Sequence, residues 1–373
     1  MGEVIPKIRR PNPARTVKLS GSLTTAAAGR VTVALRQLVE VSPSPITLQI
    51  HNSGGEVEAF YQLVGTIETL QSGGKKCRVF TFAGKASSAA AYLLLAGHWA
   101  FVLPNAKVGL HGTRGTWPKD GKRLSREKAL ALAMRLDREN RTVARILSKH
   151  LVFRLAARQQ ELRPLSIQSL PHTPLAILKQ LTSQLASRLD SVRAKRMLDE
   201  SFDRLKIVLA LSPHFPTQTR PTTTRQLAAR EAKIFQSSIA YELAANRGKK
   251  WRLDGTAGAE LLMDYLLAKD FLPGDHLKLA RRLARRFSGN FLPAASIARY
   301  EKLLRKDPAL GEAFLIKAAL PGALGLWYFT LTLCHRLLTG EYTFSAQDAY
   351  WLGLVDEVLP AEPPPLDASR SSH

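Results

Sequence analysis

GKASSAAAYLLLAG, Gly84 to Gly97, is the stretch on which the reading of this chain turns. A short apolar strand, Cys77 to Phe82, leads into it, two serines follow, and a run of small and aliphatic residues then reads as a buried helix. A serine at that junction stands at a helix N-terminus, where unpaired backbone N–H groups and the helix dipole favour a developing anion. That placement suits a nucleophile. A small-residue helix start packed under a sheet satisfies the same residues, so the choice rests on whether the rest of the chain supplies a base and oxyanion donors.

Upstream, Thr16 to Leu19 alternates as a short strand that turns at Gly21. Thr24 to Val41 places Ala28, Val31, Val33, Ala34, Leu35 and Leu38 at helical spacing and ends in the Ser-Pro-Ser-Pro turn of Ser42 to Pro45. Ile46 to Ile50 is a compact buried strand leading into HNSGGEVEAF, and an amphipathic helix follows from Val57 to Leu70. The pair Gly54-Gly55 between them allows positive φ or close approach of main-chain N–H groups to a bound group, as well as a plain tight turn. Downstream, Trp99 to Leu103 reads as a fourth strand, followed by PNAKVGLHG, Pro104 to Gly112. Strand, helix, strand, helix, strand indicates an α/β layered core with largely parallel strands. In such sheets ligands bind beyond the carboxyl ends of the strands, where both Gly54-Gly55 and Ser88 fall.

With 373 residues, 45% apolar and 23% charged, the chain has ordinary globular composition and room for two or three domains. The net charge of +24 is unusual, and it is local: residues 1–111 carry +7, residues 331–373 carry −4, and residues 112–330 hold the other +21. Cys77 and Cys334 are too few for a disulfide framework and lack metal-ligand spacing, so both read as buried packing residues in a reducing compartment. The opening MGEVIPKIRRPNPAR has no apolar core of a secretory signal and, with Pro6, no myristoylation motif. Ala318 to Cys334 is uncharged for 17 residues but short for a span and interrupted by Pro321, Gly322 and Gly325, so a buried helix is expected.

From Ser125 to His150 an apolar stripe of Leu130, Leu132, Met134, Leu136, Val143, Ile146 and Leu147 predicts one long helix. Prolines at 164, 171, 174, 213, 216 and 221 mark loops beyond it, and Thr217 to Arg225 reads as a linker or an exposed loop. Helical segments are expected at Gln226–Asn246, Ala257–Lys269, His276–Phe287 and Ala294–Leu304. KLARRLARRF, Lys278 to Phe287, is a basic amphipathic helix whose arginines suit an anionic partner or a solvated face alike. The last block, Glu341 to Pro360, starts a helix at Ser345-Ala346, caps it at Gly353 and continues as a strand from Leu354 to Leu359.

Four blocks, TVKLSGSLT, IHNSGGEVEA, GKASSAAAYLLLAG with LPNAKVGLHG, and FSAQDAYWLGLVDEV, together resemble the Clp protease proteolytic subunit family, ClpP, within the wider ClpP/crotonase superfamily. They span roughly residues 15–150 and 340–360. The resemblance implies an α/β, ClpP/crotonase-like layered ββα-superhelix core with a mostly helical insertion. The implied divisions are a lead over 1–14, a core over 15–160 with a handle helix at about 125–150, and a basic insertion over 161–335. The core resumes over 336–360, and a disordered tail is expected over 361–373.

Site residues follow from the same match. Ser88 falls on the nucleophile position, with Ser87 where the family has alanine, and His111 falls on the general-base position. The oxyanion-hole N–H groups map to Gly55 and Ala89, and Glu341 falls where the family has the third, aspartate member; Asp348 lies nearby and Asp356 matches the structural GLVD turn. The chemistry needs these types: a serine hydroxyl attacks only when a neighbouring base takes its proton and a third group orients the imidazole. Two preorganised N–H donors stabilise the oxyanion by about 3 kcal/mol each. Departures are Glu341 for aspartate, Ser53 in place of the loop proline, and the insertion of some 170 residues.

The implied activity is that of a serine endopeptidase cleaving unfolded polypeptides inside a chamber of two stacked heptameric rings, a tetradecamer with other ClpP-like subunits, fed by an AAA+ Clp unfoldase. Neither cofactor nor metal is expected, nor nucleic acid, and no P-loop pattern is present on this chain. MGEVIPKI faintly resembles plastid-encoded members, so the plastid stroma or the bacterial cytoplasm is the expected location. Three other readings fit parts of the pattern: a non-catalytic ring subunit, a crotonase-type acyl-CoA enzyme, and a Ser-Lys peptidase with Lys85 or Lys107 as base.

Overall fold

The computed structural model describes residues 11–72, 76–114, 125–162, 174–211 and 273–360. The lead of residues 1–10, the expected linker Thr217–Arg225, the expected helices Gln226–Asn246 and Ala257–Lys269 and the tail of 361–373 lie outside the described residues. By packing, the described chain divides into two units. One comprises residues 11–108, 344–350 and 355–360, and the other 109–343 and 351–354.

In the first unit, β1 (Thr16–Ser20), β2 (Ile46–Asn52) and β3 (Val79–Ser87) pair in parallel, with α1 (Thr25–Val41), α2 (Val57–Ser72) and α3 (Ala89–Leu95) as connections. The mixed α/β class and the parallel sheet are therefore as expected. Every second residue of β1 and most of β2 is buried: Leu19, Ile46, Leu48 and Ile50 are at most 2% exposed. Burying each such side chain stabilises by roughly 1.5–3 kcal/mol. Helix α1 begins where Thr24 accepts the Ala27 N–H. It ends at the Ser-Pro-Ser-Pro turn, where the Arg15 guanidinium donates to the carbonyls of Leu38, Ser42, Ser44 and Pro45 at 2.7–3.3 Å. One arginine thus ties the last turn of the helix to the turn that follows it.

β4 (Trp99–His111) is longer than the sequence suggests, because Pro104 does not break it: a strand tolerates the fixed φ of proline where the ladder does not need its N–H. The sheet follows the order β1-β2-β3-β4-β5, with β5 at Glu341–Ser345 and a short β6 (Glu357–Val358) parallel to β4. The expected strand Leu354–Leu359 shrinks to β6. Ahead of it the Asp356 carboxylate accepts the Ala100 N–H at 2.7 Å, and a side chain replaces a ladder carbonyl. Between β5 and β6, α10 (Ala346–Trp351) is capped by Ser345, whose Oγ accepts the Asp348 N–H, and Gly353 ends it with φ of +71°.

The second unit is helical. α4 runs Arg126–Leu162, twelve residues past the expected end at His150, since the chain meets no breaker before Pro164. α5 (Pro174–Arg188), α6 (Val192–Leu211), α7 (Pro273–Arg286) and α8 (Ala294–Lys306) surround α9 (Pro308–Thr339) together with α4. α9 starts on Asp307, whose carboxylate accepts the N–H groups of Ala309 and Leu310, and runs through Pro321. It is the one described helix long and apolar enough to cross a membrane. From Gly322 to Thr339 nearly every residue is buried, so its apolar surface is spent on packing within this unit. On α7, Arg282 lies over the Phe153 ring, Arg285 pairs with Glu312 and Arg286 lies over Phe287, so much of this arginine set braces neighbouring elements.

A buried charged cluster sits at the end of α9. His335 is 1% exposed, and burial, reinforced by the guanidinium groups of Arg204, Arg141 and Arg336, pushes its imidazole down to about 3. The unfolded chain, with an ordinary imidazole, binds more protons between about pH 6.5 and about 3. Stability contributed by the neutral ring is therefore complete above that window and lost as pH falls through it, by up to about 1.4 kcal/mol per pH unit. Replacing His335 with leucine is expected to shrink the loss of urea midpoint between pH 7 and 5; equal losses in both proteins would refute this. Beside it, burial alone would raise the Glu200 carboxyl, but Arg336 and Arg196 together outweigh burial and hold it below the usual range.

Candidate active site

Ser88 is where the site begins. It stands between β3 and α3 with φ 57° and ψ −133°, a region that residues with a side chain enter at a cost of about 1–3 kcal/mol. Such strain at a strand-to-helix turn lifts a side chain out of the sheet and presents it. The Ser88 hydroxyl does not cap α3, while its carbonyl accepts the N–H groups of Ala91 and Tyr92 at 2.9 and 3.1 Å. The main chain of Ser88 builds the helix and its side chain is left for other work. Four residues earlier the β2–β3 register slips, with Ile50 opposite Ala83 and His51 opposite Lys85, so Gly84 is the extra residue of a bulge that re-aims the strand end.

Gly54 meets this serine directly. Its φ is +105°, and a Cβ there would lie 2.5 Å from Ser88 Cβ and 3.0 Å from Ser88 Oγ, so only glycine fits. Asn52 Oδ1 accepts the Gly54 N–H at 2.6 Å, which holds the turn although Ser53 replaces the loop proline. At Gly55 the limit is backbone: Leu23 donates to the Gly54 carbonyl at 3.0 Å and accepts from Glu56 at 2.8 Å. A Cβ on Gly55 would lie 2.1 Å from the Leu23 carbonyl oxygen. Because the groups flanking Gly55 point to Leu23, the Gly55 N–H itself points to the opposite side. Ala89, 1% exposed, opens α3, and its N–H belongs to the first turn, which has no carbonyl four residues back to bond. Both N–H groups assigned to the oxyanion hole thus lie outside the intra-chain ladders.

His111 ends β4 in the helical unit, with its Nδ1 2.8 Å from the Gly112 carbonyl oxygen. A carbonyl only accepts, so Nδ1 is the donor in this contact, and in the neutral ring that puts the lone pair on Nε2, the tautomer a general base needs. Glu341 is the first residue of β5, with half its side chain exposed, and Arg114 Nη2 donates to its Oε1 at 2.7 Å. Nδ1 thus donates to a backbone carbonyl, and Glu341, which the family resemblance puts forward as the third member, bonds Arg114. Lys85 and Lys107 are exposed and lack the burial that turns a lysine into a base. Among the described residues no cluster of His, Cys, Asp and Glu can hold a metal ion. Cys77 and Cys334 are buried free thiols, both pushed upward by burial.

Sequence reasoning passed over Asn52, which bonds the glycine turn, and Arg114, which bonds Glu341. Asn52 had a legible signal, an asparagine two residues before a glycine, the spacing of a side chain that closes a turn on the backbone. Arg114 had none.

A parallel α/β sheet that ends a strand in a strained serine, beside a glycine turn packed onto that serine, belongs to the class of α/β folds built to present a side chain at a strand-to-helix elbow. The family model described as Clp protease matches residues 6–155, which takes in β1 to β4, the glycine turn, Ser88 and His111. Over this segment, about two-fifths of the chain, the protein is similar to the Clp protease family, and the mixed α/β core with its parallel sheet and added helices is consistent with that likeness. No curated protein matches the chain.

Proposed function

We propose that this chain is a catalytic serine-type ClpP subunit, with Ser88 as nucleophile, His111 as general base and the Gly55 and Ala89 N–H groups as oxyanion donors. One observation carries the reading: Ser88 is held in a costly backbone conformation with Gly54 packed against its Cβ and Oγ. Strain of this kind persists only where the surroundings impose it, and a merely structural helix start has no use for it. In the proposed reaction His111 Nε2 takes the Ser88 proton as Oγ attacks the scissile carbonyl. The oxyanion forms against the two N–H groups, and the proton passes to the leaving amine. Water then attacks the acyl-serine by the same route, and Ser88 regains its proton. The likeness of residues 6–155 to the Clp protease family supports ring assembly with other ClpP-like subunits and delivery of unfolded polypeptides by an AAA+ Clp unfoldase.

The test is labelling of the full-length protein with a fluorophosphonate, read by mass spectrometry. An adduct on Ser88 that disappears in His111→Ala supports the assignment, and absence of any adduct in folded protein overturns it. A non-catalytic ring subunit is the second reading, favoured by the commitment of Glu341 to Arg114. In our reading Glu341 acts at one remove. Glu341→Gln is then expected to lower kcat less than about tenfold, whereas a carboxylate holding the imidazole directly is worth about 10⁴-fold. A loss of 10³-fold or more would return Glu341 to the imidazole. A crotonase-type acyl-CoA activity predicts instead that Ser88→Ala leaves turnover intact.

A further inference from the structure

His111, Gly112 and Thr113 lie against α4 and the end of α9, and all the groups involved belong to the helical unit. Gly112 has no room to be anything else: a Cβ would lie 2.1 Å from the Leu338 carbonyl oxygen and 2.9 and 3.1 Å from the amide atoms of Asn140. Asn140, on α4, is 2% exposed, and its Oδ1 accepts the Thr113 N–H at 2.7 Å. That N–H and the Gly112 carbonyl belong to one planar trans peptide group and point in opposite directions. Whatever grips the N–H sets the direction of the carbonyl. The carbonyl is the acceptor of His111 Nδ1.

We propose that Asn140 is the positioning residue for the general base, acting through the 112–113 peptide group: Asn140 Oδ1 accepts from Thr113 N–H, and the Gly112 carbonyl accepts from His111 Nδ1–H. The chain of two hydrogen bonds through a peptide group polarises in one sense, so each bond strengthens the other. It fixes the ring plane, keeps the proton on Nδ1 and leaves the lone pair on Nε2. When the imidazole takes the serine proton, the carbonyl faces the new positive charge. This performs the orienting task that a carboxylate performs in a triad, from a buried neutral amide on the long helix. The inference rests on His111 being the base.

Peptidase kinetics of the full-length protein test it. Asn140→Leu keeps the volume and removes the acceptor, and is expected to lower kcat 10- to 100-fold with KM unchanged and to move the acid limb of the pH–rate profile to lower pH. Asn140→Asp keeps the acceptor and adds charge, so kcat is retained within about fivefold and the limb moves to higher pH. A merely structural Asn140 predicts changes in melting temperature without opposite shifts of the limb. If His111→Ala retains activity, the base assignment itself fails; if His111→Ala is inactive and Asn140→Leu turns over normally, only the positioning role fails. Nitrogen-15 spectra of histidine-labelled wild type, assigned with His111→Gln, need no folded leucine variant. A neutral Nδ1–H tautomer at His111 is the expected result, and an Nε2–H tautomer overturns the proposal.

Discussion

Alanine at position 88 is expected to abolish peptide hydrolysis, lowering kcat by about 10⁴-fold or more, because it removes the Oγ that we propose as the attacking group. Folding should hardly change, since alanine meets the same backbone strain as serine at φ 57°. Glycine at the same position separates function from stability. Ser88→Gly releases the strain and is expected to raise unfolding free energy by about 1 kcal/mol, while activity is lost as in the alanine variant. Thermal unfolding and a fluorogenic peptide assay on the three proteins check both halves. A Ser88→Gly protein no more stable than wild type would mean that the strain is not borne at this residue. An active Ser88→Ala protein would remove the serine mechanism.

The second large effect belongs to Gly54. In Gly54→Ala the new methyl must occupy space 2.5 Å from Ser88 Cβ and 2.9 Å from the Ser87 carbonyl oxygen, at φ of +105°. Either the glycine turn retreats or the serine rotates away, and each would displace the proposed nucleophile relative to the proposed oxyanion donor at Gly55. An error of about 1 Å at a nucleophile costs on the order of 10²-fold. We therefore expect kcat to fall at least about 100-fold and stability to fall by about 1–3 kcal/mol. Gly65→Ala on α2 is the matched control, because a Cβ there meets nothing within 4 Å. It should leave activity unchanged and stabilise by up to about 1 kcal/mol through helix propensity. Equal losses in both variants would show that the effect at Gly54 is not local to the site.

Much of the core is legible in the sequence. Alternating burial in β1 and β2, the capped helix α1 and the order of strands and helices follow from local rules of periodicity, capping and turn chemistry that operate over a few residues. Ser88 was separable from Ser87 only through the family's pattern, and the pattern could not reveal that Ser88 holds a positive φ. Strand ends were less legible. β4 passes through Pro104 to His111, and β6 shrinks beside the Asp356 carboxylate, because a distant strand and not the local sequence decides where a ladder stops. The basic helix at Lys278–Phe287 looked ready for an anionic partner. Its pairings with Phe153 and Glu312 come from residues more than a hundred positions upstream and some 27 positions downstream of the arginines concerned.

By itself the sequence determined the class of the fold, the strand–serine–helix junction and the residue types of the site, since each depends on propensities and spacings within short windows. Tertiary structure alone decided which glycine touches the serine, where Glu341 spends its charge and what holds His111. Those are contacts between residues far apart in the chain: Gly54 with Ser88, Arg114 with Glu341, and Asn140 with Thr113. No local pattern encodes them, because a carboxylate or an amide pairs with whatever donor the packed chain brings within about 3 Å, and packing is settled by the whole core at once.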